Sequence, residues 1–323
     1  LTAIDFDELH NQSGLNTDHL AAWLDIRVNA PACTSVSLGG NKTLEQFAAD
    51  ALAISNFSSM FNSCHALQSI PLLDTSSGTN FSNMFFDCRA LQSIPLLDTS
   101  SGTNFAEMFR ICNALQSIPL LDTSSGTNFY RTFMECRALQ SIPLLDTSSG
   151  TNFGDMFKVV NALQSIPLLD TSSGTNFSGM FNGCSALQTV PLLDTSSGTN
   201  LSNMFSFCYG LQSVPLLDTS SGTNFSDMFK ECYKLQFISL LDTSSGTSFG
   251  DMFLDCSVLQ QGALSGTAEN ISYEDCALSG EELDRIYENL ASVSGKTITV
   301  TGNWGTASDT PSIATAKGWT VTA

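Results

Sequence analysis

Cysteine and aspartate are the side chains here best able to do chemistry, and both recur at a fixed spacing of 24 residues. Eight of the ten cysteines share one repeat position: Cys64, Cys88, Cys112, Cys136, Cys184, Cys208, Cys232 and Cys256. One copy carries Val160 there instead. Equivalent positions in stacked copies have parallel Cα–Cβ vectors, whereas a disulfide needs converging ones. Replacement by Val points to a small buried apolar site, which a free thiol also fills. Only His65 accompanies the column, so a zinc site is disfavoured. The second column is Asp74, Asp98, Asp122, Asp146, Asp170, Asp194, Asp218 and Asp242. Capping of a turn by each carboxylate is preferred to a row of Ca²⁺ ions, which want six to eight oxygens each. The three histidines, His10, His19 and His65, sit in no nucleophile–base or metal motif, and each turn glycine is solitary rather than part of a phosphate loop. Eight equal copies offer no unique concave pocket. No catalysis and no cofactor are expected.

The elements that must position these columns follow from the repeat. From Ala66 to Ser257 eight copies of 24 residues run without insertion, and a half copy precedes them at 56–65. A fixed period of this size predicts a solenoid. Leu67-x-x-Ile70-x-Leu72 predicts a strand. Phe81, Met84, Phe85 and Cys88, at i, i+3, i+4 and i+7, predict a short helix with Asn80 as N-cap. Asp74-Thr-Ser-Ser-Gly78 between them is turn chemistry, with Gly78 expected to supply positive φ. The fold class expected is thus an α/β repeat solenoid, a right-handed leucine-rich-repeat-like coil stack. Its parallel sheet lies on one face and short helices on the other, with strands about 4.8 Å apart over roughly 35 Å.

Three segments follow: an N-terminal cap over 1–55, the solenoid over 56–257 and a C-terminal cap over 258–323. Within the first, Cys33-x-x-Val36-x-Leu38 reads as a strand and Thr43 to Ile54 as a longer helix. In the last, Ser279-Gly-Glu-Glu282 has capping-box spacing and opens a helix to about Leu290. Thr297–Thr301 reads as a strand, Ile313–Ala316 as a helical turn and Trp319–Thr322 as a final strand.

Composition excludes several functions. Twelve basic against 31 acidic residues give a net charge of −19, a poor match for nucleic acid or anionic lipid. With 42% hydrophobic and 13% charged residues, the chain is not a disordered one. No run of 18 apolar residues is present, so membrane insertion is not expected. The start at Leu1 has no signal-peptide pattern, and the chain is expected to be a piece of something larger.

The copies are nearly identical from Leu67 to Phe81 and diverge at positions 82, 83, 86, 87 and 89 and their equivalents. On the helical reading these face water. The diverging set holds Arg89, Arg110, Arg131, Arg137, Lys158 and Lys230, together with Tyr130, Tyr209 and Tyr233. Phe207 belongs to the same set. Arg and Tyr are over-represented at binding hot spots, so these ten residues are the candidate ligand-binding set. The competing surface is the strand face: Leu73 recurs in all eight copies and would form an apolar stripe if it pointed outward, although core is the preferred reading. Thr75 and Thr79 also form columns, which suggests ice binding only weakly because they lie in a turn.

The run Asp74-Thr-Ser-Ser-Gly-Thr-Asn-Phe-Ser-Asn-Met-Phe-Phe-Asp-Cys88 resembles the repeat of BspA-like leucine-rich repeat surface proteins, roughly D-T-S-x-V-T-N-M-x-x-M-F-x-x-C. It departs at Gly78, where that family often has Val, and at Phe81, where it often has Met. The stretches Cys276–Gly280, Gly302–Ala307 and Thr315–Trp319 look like the ends of repeat proteins in phage tail modules. The first resemblance implies cell-surface adhesion. The second implies a receptor-binding tail-fibre component. The expectation is a virion tail protein that recognises a bacterial surface receptor, protein or glycan, with a homo-oligomer or other tail proteins as further partners. The alternatives are a bacterial surface adhesin, a structural spacer or an ice-binding solenoid.

Overall fold

The computed structural model describes residues 56–323 in full and, before them, the backbone of five strands: β1 (Ala3–Phe6), β2 (Leu15–Asn16), β3 (Asp25–Asn29), β4 (Val36–Ser37) and β5 (Gln46–Asp50). The rest of the expected N-terminal cap, with His10, His19 and Cys33, lies outside the described residues. β1, β3 and β5 pair in parallel, with Ile4, Ile26 and Phe47 in register. The helix expected over Thr43–Ile54 is therefore corrected to a strand at its centre: pairing with β3 overrides the local helical preference of a Gln-Phe-Ala-Ala run. β4 falls within the expected strand and pairs with β2.

The chain divides into two compact units, residues 1–152 with 156–162, and residues 153–155 with 163–323. Both are repeat coil stacks. In each, alternate backbone N–H groups of the Phe81–Cys88 segment reach the next coil. Phe81, Asn83, Phe85 and Asp87 donate to the carbonyls of Asn104, Ala106, Met108 and Arg110 at 2.8–2.9 Å. The N–H groups between them close tight turns instead: Met84 to Phe81, Phe86 to Asn83 and Cys88 to Phe85. The expected helix is thus corrected to a pair of linked β-turns. Spacing i, i+3, i+4, i+7 fits two consecutive four-residue turns as well as it fits helix. The turns place every second donor along the stack. Their cost is visible at the third position of each turn, where φ is positive: 57° at Asn83, 58° at Asp87, and likewise in the other coils. Ile111 and Val159 occupy such positions at 63° and 61°, a conformation β-branched residues resist.

The apolar residues of these turns form the core. Phe57, Phe81, Phe105 and Phe129 stack ring on ring at 5.3–5.7 Å in the first unit, and Phe61 through Phe157 make a second column there. In the second unit Phe181, Phe205, Phe229 and Phe253 continue the pattern and end on Tyr273 at 4.7 Å. Gly78 belongs to this core. Neither it nor Gly102 nor Gly126 has positive φ, so the expected conformational role is corrected to a steric one. A Cβ on Gly78 would stand 2.6 Å from the Phe81 ring, and one on Gly126 2.7 Å from the Phe129 ring. The two departures from the surface-protein repeat, Gly for Val and Phe for Met, are therefore one change: the ring fills the space the Val side chain would take.

The segment before the turn differs from the expected strand. Its inward residues are Leu67, Ile70 and Leu73, with Leu72 turned out to solvent. Pro71 explains this, because it has no N–H for a ladder and fixes φ near the polyproline value, which has three residues per turn. Strands are correspondingly short. β6 (Ser213–Val214) pairs with β7 (Phe237–Ile238), and β8 (Leu241–Asp242) with β9 (Leu264–Ser265), all in parallel. β7 and β8 flank Ser239, which stands where the seven earlier copies have Pro.

After the last coil the sequence patterns hold closely. β10 (Ile271–Ser272), β11 (Lys296–Thr299) and β12 (Trp319–Thr322) form one parallel sheet. α1 (Gly280–Asn289) and α2 (Ser312–Ala316) connect them. Ser279 caps α1 by accepting from the Glu282 N–H at 3.2 Å, but the Glu282 carboxylate takes the Gly262 N–H instead of completing the capping box.

Two outcomes are expected from urea unfolding. Gly126→Ala overpacks the ring column and costs about 1–3 kcal/mol. Adding Phe129→Met recovers part of that loss, a coupling of about 0.5–3 kcal/mol. Ile111→Asn relieves a left-handed β-branched residue and raises stability by about 1 kcal/mol.

Candidate functional site

Two surfaces can do chemistry or binding, and the coil geometry makes them different. The first is the edge formed by the linked turns, where the copies diverge. Because the segment is not a helix, its diverging residues are mostly half-buried between neighbouring coils rather than facing water. Arg110 bonds Glu107 at 2.8 Å and lies 5.1 Å from the Phe86 ring centre. Arg131 stands 3.9 Å from the same Glu107 and 4.5 Å over its neighbour Tyr130. Asp87 is shared by Arg89 at 2.7 Å and His65 at 2.8 Å. Burial raises its carboxyl, but Arg89 and His65 together hold it below the ordinary value. Arg137 pairs with Glu135, and Lys230 with Asp227 and Asp251. Lys158 is half-buried. Tyr209 and Tyr233 stack at 5.3 Å with Phe207 edge-on to Tyr209, and both tyrosines are exposed. The hydroxyl of Tyr233 donates to Glu231, which pushes its pKa up to about 12. The structure thus brings Arg110, Tyr130 and Arg131 together around Glu107, and Phe207, Tyr209 and Tyr233 into one aromatic group. Arg89 and Arg137 are the most exposed of the basic members.

The second surface is the outward side of the Leu67–Asp74 segment. Leu73 is core, as preferred from the sequence. The outward leucine is the one before it. Leu72 is 70% exposed, Leu96 through Leu216 are 60–61% exposed, and Leu240 is 44% exposed. Each unit therefore presents four such side chains: Leu72, Leu96, Leu120 and Leu144 in one, Leu168, Leu192, Leu216 and Leu240 in the other. Gln68 and Ser69 are exposed on one side of the leucine and Asp74 on the other, with Pro71 half-buried beneath. The signal that could have found this column was Pro71, which breaks the strand period and shifts the inward register by one residue.

The aspartates are turn caps. Asp74 accepts from the Ser76 N–H at 3.2 Å and from its hydroxyl at 2.6 Å; the copies from Asp98 to Asp218 repeat the pair, and at Asp242 the N–H bond from Ser244 recurs at 3.0 Å. Those bonds hold the carboxyls of Asp74, Asp98, Asp122, Asp146, Asp194 and Asp218 below the ordinary range, the Ser hydroxyl contributing most. Thr75 is buried. Its counterparts Thr99 and Thr123 donate to the carbonyls of Asp122 and Asp146 at 2.6 Å. A buried hydroxyl column cannot order surface water; the Thr79 column is exposed, with the Thr103 hydroxyl donating to the Thr79 carbonyl at 3.2 Å. The nine described cysteines are buried thiols rather than disulfides. Cys88 Sγ donates to the Phe61 carbonyl of the preceding coil at 3.1 Å, and burial pushes the thiol well above its ordinary value. Among the described residues no group of His, Cys, Asp and Glu is arranged to hold a metal. No helix among them is long and apolar enough to cross a membrane.

Sequence reading also missed two exposed aromatics. Phe237 occupies the position held by Ser69 and its counterparts, and Trp304 follows β11; both line a cleft of about 950 Å³ against α1. The break in an otherwise Ser/Thr column was the available signal for Phe237.

A family model described as "Mycoplasma protein of unknown function, DUF285" matches residues 55–168 and 151–266. No curated protein matches the chain. Among solved structures, similar chains include a leucine-rich cell surface protein of Faecalibacterium prausnitzii (18% identity, TM-score 0.43, 82% of this chain and 88% of that one). Another is a leucine-rich repeat protein of Bacteroides ovatus (16% identity, TM-score 0.43, 93% and 82%). A third, from Eubacterium ventriosum, shares 18% identity at TM-score 0.43, over 74% of this chain and 60% of that one.

Ser124→Ala removes the main bond that keeps the Asp122 carboxyl low. Its pKa is expected to rise toward the ordinary carboxylate value in a carboxyl-shift NMR titration. A folded-state pKa below the unfolded one gives stability that is present above the ordinary carboxylate range and lost as the pH falls through the lowered value. The variant therefore loses less stability on acidification than the parent does.

Proposed function

Because the chain belongs to the DUF285 family, with its repeats laid out as coils, we propose that it is a non-enzymatic recognition module of the bacterial-surface adhesion type. It holds its partner against the outward leucines of its coils. The observation that carries this reading is the row of four leucines in each unit, 44–70% exposed, turned away from a core that needs none of them. Single exposed leucines are ordinary. A row of them at coil spacing, with half-buried prolines beneath, makes a contiguous apolar patch of the kind that marks an interaction site. Each coil adds the same modest contact, so affinity grows with the number of coils engaged.

The diverging edge supplies selectivity in this reading. Arg89, Arg110, Tyr130, Arg131, Arg137, Lys158, Phe207, Tyr209, Lys230 and Tyr233 vary the turn edge while the leucine face stays constant. A constant apolar row gives affinity, and a varied charged and aromatic edge distinguishes partners. The adhesin form is preferred to the phage-tail form. The surface-protein motif spans 56–257 and coincides with the family match, whereas the phage resemblance rests on residues 276–319, beyond it.

The test compares fluorophore-labelled parent and variants on a panel of bacterial cells, with protease-treated and glycan-stripped cells alongside. Replacing Leu120, Leu144, Leu192 and Leu216 together with Ser is expected to reduce binding at least tenfold. The urea midpoint should be nearly unchanged, because the side chains lie outside the core. Parent-level binding by that variant overturns the leucine-face reading. Replacing Arg110, Tyr130 and Arg131 together with Ala is expected to change which strains are bound.

A further inference from the structure

The cleft beside α1 is a large concavity lined mostly by residues outside the repeat consensus. We propose that it binds a basic peptide segment, with lysine or arginine side chains held between two aromatic rings and the acidic face of α1. The site adjoins the outward side of the last coils through Phe237 and Gln260 but takes in none of the outward leucines.

The aromatic wall is built, not incidental. Trp304 is 75% exposed, yet the backbone on both sides of it is fixed. Asn303 is buried; its amide donates to the Tyr273 and Val300 carbonyls at 2.7 and 2.9 Å and accepts from the Leu278 N–H at 3.0 Å. Gly305 donates to the Leu278 carbonyl at 2.9 Å and lies so close to α1 that a Cβ there would stand 2.1 Å from the Gly280 nitrogen. An indole presented to solvent from a pinned loop has paid no role in the core. Phe237, 44% exposed, faces the same cleft from β7. The seven earlier copies carry Ser or Thr at this place: Ser69, Ser93, Ser117, Ser141, Ser165, Thr189 and Ser213. The single aromatic on that column falls where the cleft opens.

The opposite wall sets the sign of the ligand. Glu281, Asp284 and Glu288 stand at i, i+3 and i+7 on α1, one face of the helix, and all line the cleft. The fourth carboxylate, Glu282, is neutralised by Arg285 at 3.0 Å. The wall therefore keeps Glu281, Asp284 and Glu288 with no lining cation left to balance them; Asp284 also accepts from the Thr310 N–H at 2.6 Å and its hydroxyl at 3.0 Å, which leaves Glu281 and Glu288 as the main ligand carboxylates. Aromatic rings and carboxylates lining one cleft attract a cation by two mechanisms at once. Gln260 and Ser279 offer the polar atoms a peptide backbone needs. A volume of about 950 Å³ lies at the upper end for small-ligand sites, which suits several residues rather than one amine.

The experiment is calorimetric titration of the full chain with acetyl-Gly-Lys-Leu-Lys-Gly-amide in 0.15 M NaCl, and with the same peptide acetylated on both lysines. Saturable binding of the first is expected, with at least tenfold weakening on acetylation. Trp304→Ala and Phe237→Ser should each weaken it at least tenfold. Neither removes a charge, so a general attraction of basic peptides to an acidic chain would leave both unchanged. Circular dichroism checks that they fold; one alters an exposed side chain and the other restores the repeat residue. Parent-like affinity in both variants, or no binding of the lysine peptide to the parent, overturns the proposal. The four leucine substitutions tested on cells lie outside this cleft, so the two proposals fail separately.

Discussion

Every residue of a coil lies beside its own copy, and that adjacency is the constraint on which the rest of the structure depends. The bonds from Phe81, Asn83, Phe85 and Asp87 to carbonyls 23 residues on fix the register, and it sets each side chain against its equivalent. A side chain is admitted only if it tolerates itself at ring-stacking distance. Phenylalanine does, at 5.3–5.8 Å face to face. Cysteine does as a thiol, bonded back to a carbonyl of the coil before. Aspartate does where Ser76 and its counterparts satisfy each carboxylate locally. Charged residues of the turn edge bring a partner, as Glu107 does with Arg110 and Arg131, and as the adjacent Asp227 and Asp251 do by sharing Lys230. The divergence along the turn edge has a structural reading of this kind beside any recognition it performs.

The same adjacency explains why glycine and phenylalanine travel together. A ring at position 81 occupies the volume above its own turn and above that of the next coil. Gly102 meets both: a Cβ there would lie 2.7 Å from Phe105 and 2.9 Å from Phe81. One residue choice in the core thereby fixes another in the turn, and the fixed turn closes by the bond from the Gly78 N–H to the Thr75 carbonyl at 2.8 Å.

The 24-residue period, the buried thiols, the capped aspartates and the helix after Ser279 were legible in the sequence because each depends on local spacing and side-chain chemistry. The linked turns were not. Phe81, Met84, Phe85 and Cys88 satisfy a helical template and a two-turn template alike, and only the bonds to the next coil decide between them. The outward turn of Leu72 was hidden because a strand template makes it inward, and Pro71 overrules that template. β5 was hidden because its stability comes from pairing with β3. The cleft was hidden because its walls, Phe237, Trp304 and α1, are distant in sequence and meet only once the coils after Ile238 are in place. Of the candidate binding residues, proximity along the edge was readable, but the ion pairs that half-bury them were not.

Near-identity of the coils leaves the folding chain an addressing problem. Any coil can dock on any other through the same rings and carbonyls, so an alignment displaced by one whole period would cost little beyond the closure entropy of the looped-out segment. The odd residues then act as index marks: Val160 in the thiol column, Leu201 in the ring column and Ser239 in the proline row each fit best in one place. Perfecting the repeat at those three positions would leave the finished contacts almost as good while removing what tells the coils apart.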